Sequence, residues 1–174
     1  RARDIGALGS HQRASPHFDR LAETGVLFSN FYANGVQTSR TTMSALFGSL
    51  PCYHFRSVQA DNPKLRLIGI ADLLKPAGYH SAFLSGTPLE FENQGDFFLH
   101  HDFDSVLGED WVGSTAPKTV QKTSWGYHDE DLMTATVDWL AEKDRQKTPV
   151  CATILTVTNH DPWSLPDGYQ PPDF

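Results

Sequence analysis

Short apolar runs alternate with segments of helical period along this chain, and no other feature restricts its fold as tightly. Strands separated by helices need crossover connections, so the pattern predicts an α/β fold with a largely parallel sheet flanked by helices. The first helix is bounded by local signals. Ser15 stands at the N-cap and Pro16 at the first helical position, Phe18, Leu21 and Ala22 share a face, and Gly25 supplies the stop. "VLFSNFYA" then reads as a strand, rich in aromatic and branched residues. Residues from about Ser39 to Leu50 fit a helix that ends before Pro51.

The alternation continues. "IGIADLLKPAGY" reads as a helix closing near Gly78, and "HSAFLSG" as the strand after it. "FENQGDFFLHH" reads as a further short helix, and "FDSVLG" as a strand or edge segment. Residues Asp129 to Lys143 form the clearest amphipathic helix, with Leu132, Ala135, Thr136, Trp139 and Leu140 at helical spacing. "PVCATILTV" is a nearly continuous apolar run, suited to the centre of a parallel sheet. Gly113 to Tyr127 reads as a long surface loop.

Composition narrows the partners. A net charge of −7 without any Lys/Arg cluster argues against a nucleic-acid surface and leaves small molecules or another protein. No run of 18 apolar residues occurs. The polar opening Arg1-Ala2-Arg3-Asp4 is no signal peptide, and the abrupt ends read as those of a fragment cut from a longer protein. Cys52 and Cys151 lie far apart and form no metal or redox motif; Cys151, within an apolar run, is expected to be a buried free thiol.

In open α/β sheets ligands collect beyond the carboxyl ends of strands. Three such ends carry reactive residue types: Asn34 to Thr38, "SGTPLEFEN", and Thr158-Asn159-His160-Asp161. Thr38 starts a helix, where a hydroxyl serves equally as an N-cap or as a nucleophile whose phosphorylated form the helix N-terminus would stabilise. Arg40 offers a guanidinium fork to the same anion. His160 suits proton donation to a leaving oxygen or contact with a phosphate, and equally suits a purely structural loop role. Asp161 reads as a loop residue. His100 and His101 read as surface or loop residues rather than ligands, and the other histidines have no partner at metal-ligand spacing. No HExxH, GxGxxG, Walker loop or GxSxG is present.

Taken in order, the motifs resemble the sulfatase-like domain of the alkaline phosphatase superfamily. The opening "SPHFDRLAETGVLFSNFYANGVQTSRTTMSALFGSLP" is closest to the branch of lipoteichoic acid synthases and phosphoglycerol transferases. "IADLLKPAGYHSAFLSG", "FENQGDFFLHHDFDSVLGED", "WGYHDEDLMTATVDWL" and "TILTVTNHDPWSLP" match the later motifs of that branch in sequence order. The resemblance covers essentially the whole chain and implies that residues 1–174 are the N-terminal and central part of one catalytic domain, truncated at both ends.

That resemblance implies a metal-dependent enzyme that moves a lipid head-group phosphoryl moiety to an acceptor hydroxyl through a phospho-threonine intermediate. Thr38 falls on the family's nucleophile and metal-binding threonine, and His160 on a catalytic histidine that contacts the substrate. Asn93 falls beside the substrate pocket, and Arg40 is the remaining substrate-binding candidate. A divalent cation, Mn, Mg or Zn, is implied for the intact protein. The remaining ligands are expected outside this chain, so the fragment itself is expected to be inactive and to bind no cation tightly. Partners implied are a phospholipid head-group donor and a glycan or lipid acceptor. The implied setting is the bacterial cell membrane, anchored by segments absent here, with the catalytic domain on the periplasmic or extracellular side. Two departures stand out. Glu92 and Gln94 replace the aromatic and arginine that flank the family's asparagine, which counts against phosphatidylglycerol as donor. The Cys/Ser-x-Pro-x-Arg signature of formylglycine sulfatases is missing. A phosphoethanolamine transferase, a sulfatase-like hydrolase and a non-catalytic binding module of the same fold are the alternatives.

Overall fold

Strand β1 (His80–Ser85) is the axis of the fold, because every residue after His80 in it is buried. A computed structural model describes residues 2–12, 14–51, 54, 56–115 and 121–170 of the chain. These fall into two units, Asn34–Asp167 and a smaller one formed by Arg1–Ala33 with Gly168–Phe174.

In the larger unit, β1 lies between β2 (Ser105–Leu107) and β5 (Val150–Leu155), with both pairings parallel. The register aligns His80 with Val150 and Ser85 with Leu155, so β1 and β5 end level with each other. Side chains alternate across a strand. On one face Phe83 stacks on Phe98 at 3.9 Å between ring centroids, within a cluster that includes Met43, Ala71, Phe97 and Phe103. Those residues come from α2 (Thr38–Phe47), α4 (Ile70–Leu74), α5 (Gln94–His100) and the segment after α5. On the other face Ala82 and Leu84 meet Val112 of α6 (Glu109–Thr115) and Leu132 of α7 (Asp129–Arg145). Helices therefore cover both faces of a parallel sheet, as the alternating pattern predicts. A short α3 (Val58–Asp61) is capped by the Ser57 hydroxyl, which accepts from the Ala60 amide at 3.0 Å.

Several expectations need correction. The apolar run ending in Leu155 is not the centre of the described sheet. β1 holds that place, and β5 is half-buried throughout with one partner among the described residues. α2 stops at Phe47, three residues before the expected end, because Gly48 takes a left-handed conformation (φ 61°) that closes the helix. The segment read as a long loop from Gly113 to Tyr127 begins inside α6 and ends in a tight hairpin, β3 (Lys122–Thr123) with β4 (Gly126–Tyr127). His101 is not a surface residue but fully buried. Its Nδ1 lies 2.6 Å from the Phe97 carbonyl oxygen, and its Nε2 lies 3.3 Å from the Leu67 amide nitrogen. Nε2 also lies 3.0 Å from the Leu65 carbonyl oxygen, so the ring meets the backbone at three points and ties the end of α5 to the 65–67 segment. Cys151 is free as expected but only half-buried, and Cys52 lies outside the described residues.

In the smaller unit, α1 (Pro16–Thr24) starts and stops where its signals place it. Ser15 is its N-cap residue but makes no capping hydrogen bond. Its hydroxyl accepts from the Gly6 amide and donates to Asp19 Oδ1, each at 2.9 Å, and so ties a 3-10 turn (Gly6–Leu8) to the helix. "VLFSNFYA" forms no strand among the described residues. Val26, Phe28, Phe31 and Tyr32 are each more than 70% exposed, and no neighbouring strand takes up their backbone groups. Strand propensity marks what fits a pleated surface, and it cannot supply the partner strand.

Candidate active site

Four well-separated chain segments meet at one cavity of about 310 Å³. Val36, Gln37 and Thr38 line it from the start of α2, Thr87, Phe91 and Glu92 from the loop after β1, and Leu155, Val157 and His160 from the end of β5. These are the three segments singled out by the sequence pattern. The second and third follow β1 and β5, which run parallel and end on the same side. The first follows no strand among the described residues and belongs to the start of α2.

Thr38 is the first helical residue of α2, and Gln37 occupies the N-cap position with extended geometry. That placement removes the capping role for Thr38. Its exposed hydroxyl has no hydrogen bond among the described residues, whereas its carbonyl accepts from Thr42 Oγ1 at 2.9 Å. Ser39 does not cap either: it is buried, and its hydroxyl lacks a partner among the described residues. The loop before Thr38 is fixed from within the helix, where the Thr41 hydroxyl donates to the Gly35 carbonyl at 2.8 Å. A Cβ at Gly35 would come 3.0 Å from Arg40 Cβ, so a side chain there would disturb the approach to the helix. The first intrahelical bond runs from the Thr41 amide to the Gln37 carbonyl at 3.0 Å. The amides ahead of it have no acceptor inside the helix, which makes this end of α2 receptive to negative charge.

The loop after β1 is strained and clamped. Glu92 (φ 48°) and Asn93 (φ 56°) are consecutive left-handed residues without a glycine. Each costs on the order of 1 kcal/mol or more, which the surroundings must offset. Two amide side chains do so: Gln59 Nε2 donates to the Glu92 carbonyl at 3.1 Å, and Asn93 Nδ2 donates to the Ala60 carbonyl at 2.8 Å. Asn93 thus spends its amide on α3, while its neighbours Phe91 and Glu92 line the cavity. The Glu92 side chain is only 15% exposed, and its carboxylate lies 3.8 Å from Arg56 Nε, beyond hydrogen-bond length. Arg40 is directed to the same neighbourhood, its Nε donating to the Arg56 carbonyl at 2.9 Å, and is not among the cavity-lining residues. Thr87 is backed by the Ser85 hydroxyl at 2.8 Å and by Gln94 Nε2 at 3.4 Å.

His160 sits in a turn whose backbone closes on itself, its amide donating to the Val157 carbonyl at 3.0 Å. Its Nδ1 lies 3.2 Å from the Asp161 carbonyl oxygen. In the tautomer that satisfies this contact Nδ1 carries the proton, and Nε2 is left to act as acceptor or, once protonated, as donor. Asp129 anchors the turn from α7: its Oδ1 accepts from the Val157 amide at 2.6 Å and the Thr158 amide at 3.1 Å. Thr158 Oγ1 accepts from the Asp129 amide at 2.7 Å in return.

Trp125 also lines the cavity, and sequence reasoning missed it. It stands in the two-residue turn between β3 and β4. Its ring lies 4.2 Å from the His160 ring and 6.0 Å, nearly perpendicular, from Phe91. Its Nε1 donates to the Asp161 carbonyl at 2.7 Å. The hairpin is seated against β1 by close backbone approach. Tyr127 donates its amide to the Gly86 carbonyl at 2.9 Å, and any Cβ at Gly126 (φ 138°) would collide with that carbonyl oxygen. A Trp-Gly pair between Thr123 and Tyr127 was the available signal, obscured because the segment lacks strand-length alternation.

A sequence model of the sulfatase family matches residues 1–174. The chain belongs to the sulfatase family. Its relatives include a phosphoglycerol transferase I of Salmonella arizonae, 26% identical over 59% of this chain and 13% of the relative. Human N-acetylgalactosamine-6-sulfatase is 33% identical over 64% of the chain and 23% of that enzyme. A crystal structure of an alkaline phosphatase superfamily protein from Vibrio parahaemolyticus superposes with a TM-score of 0.84. It is 30% identical and is matched over 99% of this chain and 41% of its own. The lipoteichoic acid synthase LtaP of Listeria monocytogenes shares the fold, with a TM-score of 0.68 at 18% identity over 78% of this chain and 32% of its own. The sulfatase-family chain thus spans well under half the length of each of these proteins. It has the α/β architecture of the alkaline phosphatase superfamily, and the relatives named as sulfatases or transferases are enzymes.

The superfamily is generally dependent on divalent metal. Among the described residues no group of three or more His, Cys, Asp or Glu side chains is arranged to hold a cation. The unbonded Thr38 hydroxyl is chemically suited to be one ligand, and the described residues supply no complete coordination shell around it.

Proposed function

We propose that residues 1–174 form the N-terminal and central part of a catalytic domain that transfers a head group from a phosphodiester donor to an acceptor hydroxyl, in the manner of a phosphoglycerol transferase. One observation carries this reading: Thr38, at the open end of α2, and His160, at the end of β5, line the same cavity. In the first half-reaction the Thr38 oxygen bonds to phosphorus and the ester bond to diacylglycerol breaks. His160 Nε2 donates a proton to the leaving oxygen while the Thr38 hydroxyl proton passes to water, so charge balances. In the second half an acceptor hydroxyl on a glycan or lipid attacks the phospho-threonine and Thr38 regains its proton. The amides at the start of α2 favour the phosphorylated form. A divalent cation (Mn, Mg or Zn), when bound, supplies charge neutralisation at the phosphoryl oxygens and acidifies the hydroxyl. Arg40 and Asn93 act on the substrate indirectly in this reading, by holding the 56 and 91–93 segments. The protein works at the bacterial cell membrane with this domain on the outer side. None of the described helices is long and apolar enough to cross a membrane.

The test is Thr38→Ala in the full-length protein, assayed on phosphodiester lipids with each cation in turn. Turnover is expected to vanish while the circular dichroism spectrum is kept, and Thr38→Ser is expected to retain partial activity. Phosphate trapped on Thr38 by acid quench and found by mass spectrometry would support the intermediate. Normal turnover by Thr38→Ala refutes the nucleophile.

A further inference from the structure

We propose that Trp125 is a positioning residue, which holds the His160 imidazole in the tautomer and orientation that leave Nε2 for the leaving oxygen. The inference rests on the transfer reading above, in which His160 hands over that proton, and names the group that readies the donor. The two side chains meet on one backbone atom. The Asp161 carbonyl accepts from the Trp125 indole Nε1 at 2.7 Å, and the same oxygen lies 3.2 Å from His160 Nδ1. The rings also lie against each other, with 4.2 Å between centroids and 50° between planes. The first contact fixes the acceptor that selects which nitrogen carries the proton, and the second limits rotation of the ring. An unrestrained imidazole exchanges between two tautomers and turns about its side-chain bonds. His160 is exposed, and the hydrogen bond of its amide to Val157 fixes its backbone alone. A 3.2 Å contact with the carbonyl of the next residue is a weak restraint unless that carbonyl is itself held. Tryptophan supplies both restraints from one side chain, an N–H for the carbonyl and a broad face for the ring.

Trp125 can act as a fixed reference because its own place is over-determined. The Thr123 hydroxyl accepts from the Trp125 amide and donates to the Gly126 carbonyl, each at 3.0 Å, which closes the turn around it. Phe91 packs edge-on against the indole at 6.0 Å. The glycine-only contact of Gly126 with the Gly86 carbonyl seats the hairpin on the end of β1. His160 belongs to the other side of the site, the segment after β5 that Asp129 anchors. The Trp125–His160 pair therefore joins two separately anchored parts, and small displacements of a proton donor are costly to rate.

The experiment gives the full-length protein two donors. Vesicles of mixed phosphatidylglycerol and phosphatidylethanolamine release diacylglycerol, whose oxygen leaves only with a proton. Bis(p-nitrophenyl) phosphate releases nitrophenolate, which leaves without one. Trp125→Leu is expected to slow release from the vesicles by roughly tenfold to a hundredfold, and release of nitrophenolate by less than about threefold. Trp125→Phe keeps a ring beside the imidazole and loses the indole bond, so its rate on the lipid is expected to fall between Trp125→Leu and wild type. Adding Trp125→Leu to His160→Ala is expected to cost little beyond His160→Ala alone, because Trp125 acts through the imidazole. Ring-nitrogen NMR of histidine-labelled protein, assigned with His160→Gln, reads the same contact without turnover. Wild type is expected to carry the proton of the neutral ring on Nδ1, and Trp125→Phe to show a mixture of tautomers. Equal losses on both donors, multiplying losses in the double variant, or an unchanged tautomer in Trp125→Phe overturns the positioning role and leaves Trp125 a wall of the cavity. Should Trp125→Leu fold poorly, the Trp125→Phe measurements decide. If Thr38→Ala still releases diacylglycerol, the transfer reading itself fails, and the tautomer measurement judges the contact alone. Loss of release in Thr38→Ala with equal losses on both donors in Trp125→Leu overturns only the positioning role.

Discussion

Replacing Asp129 with alanine tests how the sulfatase-family fold holds His160 in place. The carboxylate is at the first position of α7 and accepts two backbone amides from the segment after β5, at 2.6 and 3.1 Å. Hydrogen bonds to a charged partner contribute about 1.5–3 kcal/mol each, and a carboxylate at a helix N-terminus about 0.3–1 kcal/mol more. Asp129 is half-buried, so water replaces part of what is lost and the lower end applies. The expected cost of Asp129→Ala is about 2–4 kcal/mol. In a chain of this size that lowers the melting temperature by roughly 5–15 °C. Urea titration should show the loss as a lower midpoint at unchanged slope. Amide hydrogen exchange supplies the specific readout, because Val157 and Thr158 should lose protection beyond the global change. Asp129→Asn keeps an acceptor oxygen without its charge and should cost less. A stability within 0.5 kcal/mol of wild type, or a large loss with unchanged relative protection at those two amides, would refute the anchoring role.

Other perturbations probe the frame around the cavity. Burial and then the nearby Lys143 hold the His80 imidazole below its ordinary value of 6.5, against the pull of Asp104. The folded state therefore binds fewer protons than the unfolded chain just below that value. Stability should rise with pH through the range just below 6.5, and His80→Gln should flatten part of that rise in urea titrations; an identical slope would sink the assignment. Burial raises the Asp131 carboxyl above the usual range, despite His128. Ionising it works against folding as pH rises through that raised value, so Asp131→Asn should be at least as stable as wild type at pH 7 and gain nothing at pH 3. Gly126→Ala should destabilise the hairpin and displace Trp125, because both the positive φ and the Gly86 carbonyl oppose a Cβ. A red-shifted emission that disappears in a Trp125→Phe background is the readout, and an unchanged spectrum would count against the close approach.

What the sequence could and could not disclose follows from the range of the forces involved. α1 was legible because Ser15, Pro16 and Gly25 act on their own neighbours, although the Ser15 hydroxyl turned out to serve Gly6 and Asp19 instead of the helix end. The order of strands was not legible. "HSAFLS" and "VCATIL" are similarly apolar, and it is pairing on both edges, with β2 and with β5, that makes the first of them the buried centre. "VLFSNFYA" failed for the same reason, since a strand is a relation between two segments. His101 failed because adjacent histidines look alike on paper, whereas the α5 backbone turns only the second one inward, onto the Phe97 carbonyl.

The site itself divides along the same line. Parallel topology places strand ends together whatever their sequence, so the meeting of the segments after β1 and β5 could be read in advance. The Thr38 segment arrives there through α2 and not through the strand expected before it. The identity of Thr38 could not be, because its two candidate roles differ by one residue of helix register. With Gln37 outside the helix and Thr38 inside it, the hydroxyl has no amide to cap and is presented at the open end of α2. The contact between Phe91 and Trp125 was harder still to read. Phe91 and Trp125 are 34 positions apart and meet only because a glycine pair, Gly86 and Gly126, lets a hairpin lie on the end of β1. Local sequence thus carried the reactive groups, and long-range packing decided what surrounds them. Gly126→Ala should therefore change the cavity wall at Trp125 while the α2 terminus at Thr38 stays unaltered.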